Sequence, residues 1–126
     1  MPISTNALLK NPTTPKKKKA KKAKKAKKAS NRQLLREWSE KVRARDGFKC
    51  QVCGRTGVTN AHHILCKERY PEFKLETDNG ITLCPSHHRF GRLSAHRNQL
   101  WFSEWLKENF RDLWELAIRR IELSQT

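Results

Sequence analysis

Two short spacings of cysteine and histidine, Cys50-Gln-Val-Cys53 and Cys84-Pro-Ser-His87, carry the most specific chemistry in the chain. Each puts two metal ligands on one tight turn, a separation that fills half of a tetrahedral zinc site. Together they form a Cys3His set, which predicts one structural zinc. That zinc would tie the turn before the first strand to the start of a later helix, and a core this small gains most from such a staple. Cys66 has no partner at knuckle spacing and is expected to be a small buried residue rather than a ligand.

Other histidines remain. His62 and His63 are adjacent in a strand pattern, and His88 directly follows the second knuckle. A neutral imidazole ligates divalent metals or acts as a base near neutral pH. Hydrolysis of a phosphodiester needs an activated water, a cation against the transition-state charge and help for the leaving oxygen. Two histidines on a strand and one on a facing helix can supply a ligand pair plus a base. Neighbours on a regular strand point to opposite faces, so His62 and His63 can serve one phosphate only where the strand ends or bulges. His96 is expected at the surface or against a phosphate.

The elements that must position these side chains follow from pattern. Ser30-Asn-Arg-Gln33 reads as a capping box, and Leu34, Trp38 and Val42 recur on one helical face, so a helix is predicted over 30–46. Asp46-Gly47 stops it. Cys50 to Gly57 is a tight turn, Val58 to Leu65 a short strand, Asp78-Asn-Gly80 a turn and Ile81 to Leu83 a second strand. Pro85 suits the first position of a helix through His88, which Gly91 weakens or ends. From Gln99 the helical pattern returns through Trp101, Trp105, Leu113, Ala117 and Ile121. The class is α+β: a stapled core over 48–97 and a helical extension over 98–124, packed over the stapled centre or against a second subunit.

Charge is distributed unevenly. The 126 residues carry 28 Lys+Arg against 12 Asp+Glu, a net +16. Eleven of the basic residues precede Ser30 and no acid precedes Glu37, so the part from Ser30 onward carries only +5. Residues 1–29 hold three prolines and then Lys16, Lys17, Lys18, Lys19, Lys21, Lys22, Lys24, Lys25, Lys27 and Lys28. Like charges so crowded repel, and the segment reads as a disordered basic arm. Its partner is a polyanion: nucleic acid first, an anionic membrane surface second. No apolar run approaches the length of a membrane span and no secretory signal is seen. The expectation is an intracellular protein, cytoplasmic, or nuclear in a eukaryotic host.

Taken in order, Val42-Arg-Ala-Arg-Asp-Gly47, Cys50-Gln-Val-Cys-Gly54, Ala61-His-His-Ile64, Tyr70-Pro-Glu72, Asp78-Asn-Gly-Ile-Thr-Leu-Cys84 and His87-His88 make the chain resemble the HNH nuclease family, and within it the small free-standing phage-type members. The resemblance runs from about Trp38 to Phe90. It implies a ββα-metal fold, in which a two-stranded hairpin and a helix grip one catalytic divalent ion such as Mg2+, Mn2+ or Zn2+. It also implies endonuclease action on DNA, by nicking or double-strand cleavage, as a monomer or a homodimer. His63 matches the general base, His62 and His88 the ligands of the catalytic ion, and Asn79 the middle residue whose amide ties the loop between the strands. The family's second knuckle is usually Cys-x-x-Cys; here His87 replaces its second cysteine. Many relatives carry a further histidine where this chain has Gly91. Arg92, one helical turn after His88, is expected to clamp a phosphate oxygen, with Arg89 and Arg97 nearby. Arg43, Arg45 and Lys49 offer further backbone contacts. The competing expectations are a non-catalytic zinc-stabilised DNA-binding or packaging protein, and an RNA-binding knuckle protein.

Overall fold

The computed structural model describes Lys28 and residues 30–125. The basic arm therefore lies outside the described residues, apart from Lys28, which is helical and exposed. The chain divides into two units, Met1–Leu34 and Leu35–Thr126. In the first, residues 30–34 are helical. Ser30 is itself within the helix, so the capping box expected there does not form the helix start.

The second unit is mixed helix and sheet, as the patterning predicts. Its first helix, α1, occupies residues 35–45 up to the Asp46-Gly47 stop. From Leu35 on, the buried face of α1 is Trp38 and Val42, at 4% and 0% exposure. Two strands follow, β1 (Asn60–His63) and β2 (Gly80–Leu83). They pair antiparallel with His62 opposite Ile81 and His63 opposite Gly80. β1 is half the predicted length: Val58 is exposed, and the chain turns away after His63. Cys66, in that departing loop, is exposed rather than buried.

Gly80 is required where α1 crosses the sheet. A Cβ there would lie 2.6 Å from Trp38 Cζ2 and 2.7 Å from Val42 Cγ2. Asp46 locks the end of α1 to β2 by accepting the Thr82 N–H at 2.9 Å. Arg45 pairs with Asp46 and donates to the carbonyls of Thr77 and Gly80.

After β2 comes a π turn, Ser86–Phe90, opened by Pro85 and closed by the Gly91 N–H bonding to Ser86 O at 2.7 Å. A side chain at Gly91 would collide with that carbonyl at 2.6 Å. The predicted helical extension is two helices, α2 (Gln99–Asn109) and α3 (Arg111–Ser124), broken at Phe110. Asn98 caps α2 by accepting the Trp101 N–H. Phe102 and Leu106 of α2 join Cys50, Ile81, Leu83, Cys84 and Ala95 in one core. The extension thus packs over the cysteine cluster. Among the described residues, no helix is long and apolar enough to cross a membrane.

Candidate metal centres

The two knuckles meet. Ligand atoms of Cys50, Cys53, Cys84 and His87 all lie within 4.8 Å of one another, close enough to hold a metal ion. Cys53 Sγ is 3.8 Å from Cys84 Sγ, and His87 Nδ1 is 3.8 Å from Cys50 Sγ and 3.3 Å from Cys84 Sγ. Zn–S bonds of about 2.3 Å and a Zn–N bond of about 2.0 Å at tetrahedral angles would separate sulfurs by about 3.8 Å and sulfur from nitrogen by about 3.5 Å. These three edges lie within about 0.3 Å of that polyhedron. Local folding explains the meeting. Gln51 N–H bonds to Thr82 O, fastening the first knuckle to β2, and β2 runs directly into the second. Burial pushes the Cys50 thiol up, but the backbone N–H groups of Cys53, Cys84 and Val52 outweigh it, and the net direction is down. Burial pushes the Cys53 thiol up. The indole of Trp101 lies nearly parallel to the His87 ring, with centroids 6.4 Å apart.

The remaining histidines form a second cluster. Ligand nitrogens of His62, His88 and His96 also lie within 4.8 Å of one another. His88 Nε2 and His96 Nε2 are 3.1 Å apart, and the His62 ring meets both edge-on at about 5 Å between centroids. The π turn divides two adjacent residues between two clusters: His87 goes to the cysteines and His88 to the histidines. His96 is exposed, as its spacing implies, yet its ring joins this cluster. Two backbone bonds bring it back, Ala95 N–H to His87 O and His96 N–H to His88 O. Burial, then the neighbouring His96 and Arg89, holds His88 down at about 4. Burial, followed by the other histidines and Arg89, holds His62 well below its ordinary value, and burial then Arg89 lower His96. All three shifts favour the neutral ring, the form of imidazole that ligates a cation.

His63 stands apart from that trio. Its ring stacks on Trp38, centroids 3.9 Å apart and planes within 6°. Its Nε2 lies 2.9 Å from Lys74 O. A carbonyl only accepts, so Nε2 carries the proton and Nδ1 keeps a lone pair. Burial lowers the His63 pKa. Asn79, buried at 1% exposure, fixes the loop that presents Lys74 O. Its side chain accepts Leu65 N–H at 2.8 Å and donates to Leu65 O and Phe73 O. His62 and His63 point to different faces, as strand geometry demands, yet β1 ends at His63 and both border one cavity of about 550 Å³ with His96.

The arginines are placed less closely. Arg89, Arg92 and Arg97 are all exposed. The π turn ends at Phe90, so Arg92 sits in a bend beyond it and is not one helical turn from His88. Arg89 is the one whose charge depresses His62, His88 and His96, and Arg97 donates to Phe90 O. Of the residues before the first knuckle, Arg45 is committed to the carbonyls of the 77–80 turn, and Arg43 bonds back to Ser39. Comparison with protein-family models, curated proteins and solved structures gave no match for the chain.

Proposed function

We propose that the chain is an HNH-type endonuclease of ββα-metal architecture that hydrolyses DNA phosphodiester bonds. The observation that carries the reading is His63. Its Nε2 is occupied by a backbone carbonyl in a loop tied by Asn79, its Nδ1 is free, and a trio of further imidazoles converges nearby, two of them, His62 and His96, lining the same cavity. Structure alone does not call for that combination.

Zinc would be held by Cys50, Cys53, Cys84 and His87, the closed four-ligand set of a structural site. His62, His88 and His96 would hold a divalent ion such as Mg2+, Mn2+ or Zn2+, with coordination positions left open. That ion supplies charge against the scissile phosphate and the leaving oxygen. The protein's own part is acid–base work and positioning. His63 Nδ1 takes a proton from the attacking water as the new P–O bond forms and the P–O3′ bond breaks. The Lys74 carbonyl stabilises the imidazolium that results. Arg89 contributes charge to the phosphate, and the lysine arm brings the polyanion in without choosing sequence.

Supercoiled plasmid incubated with Mg2+ or Mn2+ should become nicked or linear, and EDTA should stop it. A mobility shift without any cut by the zinc-loaded protein would favour a non-catalytic DNA-binding protein instead.

A further inference from the structure

His63 depends on a loop, and that loop is held from an unforeseen direction. Residues 64–79 run from β1 to β2 and carry the Lys74 carbonyl that bonds His63. From α1, Trp38 Nε1–H donates to Glu76 O at 2.7 Å. From α3, Arg120 reaches the same loop twice. Its Nη1 is 2.9 Å from Asp78 Oδ1, and its guanidinium lies 4.6 Å from the centre of the Phe73 ring. Asp78 Oδ1 is shut off from water and makes no hydrogen bond by geometry, so the Arg120 charge is what balances it. Arg120 is itself only 14% exposed at its side chain, which keeps it away from a bound polyanion.

Asp78 and Phe73 are not arbitrary points on the loop. Asp78 precedes Asn79, and Phe73 precedes Lys74. Phe73 O accepts from the Asn79 amide. A cation that grips both therefore fixes the two ends of the bridge that aims the Lys74 carbonyl.

We infer that Arg120 is a positioning residue for His63: it clamps Asp78 and Phe73 so that Lys74 O holds the imidazole in its Nε2–H tautomer. This rests on the reading of His63 as the base, but the tautomer can be measured without any cleavage. Loss of the clamp lets the loop slacken, and His63 then divides between tautomers, half of which present the wrong nitrogen. Displacements of about 1 Å at a catalytic group are enough to cost about a hundredfold in rate.

The test uses the full-length, zinc-loaded chain with ¹⁵N-labelled histidine, whose ring nitrogen shifts report the tautomer at pH 7.5. Wild type should show His63 as Nε2–H alone. Arg120→Met should show a mixture, with DNA cleavage slowed by about tenfold or more and the Kd for DNA unchanged. Arg120→Lys, which keeps the ion pair, should recover most of both. If Arg120→Met does not hold its fold and zinc, Asp78→Asn at the more exposed partner gives the same reading. A wild type lacking a single tautomer, or a folded variant that keeps it, overturns the proposal. A shifted tautomer in a protein that never cuts DNA leaves the clamp standing and removes the nuclease reading. An unchanged tautomer beside normal wild-type cleavage does the reverse.

Discussion

The cysteine cluster and the histidine trio are both close sets of metal-ligating atoms, and they share the junction between His87 and His88. They differ in how they are built. Every ligand of the first belongs to a pair three residues apart, so the turn that makes the ligand pair also makes half of the site. The trio draws one ligand each from β1, the π turn and the turn over 95–97. Its geometry exists only after the chain has folded. They also differ in electrostatics. Three converging sulfurs, two of them in the core, need a cation to be held together as thiolates, whereas three neutral imidazoles need none. A site that the fold depends on and a site that the fold provides should fail in different ways.

The largest expected difference is in stability. Cys84 is 1% exposed and belongs to the core cluster. Cys84→Ser should abolish tight zinc binding and unfold the 35–126 unit, since structural zinc contributes on the order of 10 kcal/mol to small domains. Metal analysis should find one zinc per wild-type chain, and circular dichroism should show the variant melted at room temperature. A wild type purified under reducing conditions without bound zinc would refute the assignment. His96→Ala, in contrast, should melt within a few degrees of wild type.

Next comes rate. His63→Ala should retain zinc, fold and DNA affinity while cleavage falls by about a hundredfold or more, the usual scale for loss of a general base. His88→Ala and His96→Ala should also slow cleavage, but by loosening the divalent ion, so raising Mn2+ should restore part of their activity and none of that of His63→Ala. Cleavage rate against Mn2+ concentration separates the two behaviours. Cleavage by His63→Ala at the wild-type rate would end the proposed mechanism. A normal metal dependence in His96→Ala would return that residue to the surface role its spacing implies.

The same contrast explains what was legible in the sequence. The knuckles, the Trp38–Val42 face, the two strands and the return of helix at Gln99 are encoded within a few residues of themselves, and pattern suffices to find them. His96 is placed by backbone bonds to His87 and His88, and no local signal announces those. Arg92 falls in the helical register that His88 begins, but the Ser86–Gly91 closure ends that register early. The break at Phe110 has neither glycine nor proline to mark it. It exists because α3 turns back on α2, where Trp114 Nε1–H meets Ser103 Oγ and Phe110 packs against Trp105. Free cysteine is usually buried, but the early end of β1 leaves Cys66 exposed.

The smallest expected effect concerns proton competition at the trio. A protonated imidazole cannot bind a cation, so affinity falls as pH drops through the pKa values of the metal-free site. Were all three histidines at their ordinary value near 6.5, lowering pH from 7 to 5.5 would cost on the order of tenfold for each, or about a thousandfold together. His88 is held at about 4, His62 lies well below the ordinary value, and His96 is lowered too. All three shifts run in one direction: the proton is already excluded by burial and by neighbouring positive charge. Mn2+ affinity measured by calorimetry, with zinc retained in the cysteine cluster, should therefore change by about tenfold or less across that range. The fall should steepen only further down, toward the pKa of about 4 at His88. A loss of about a thousandfold between pH 7 and 5.5 would mean that the histidines titrate as solvated groups, and that the trio is assembled by the metal rather than by the fold.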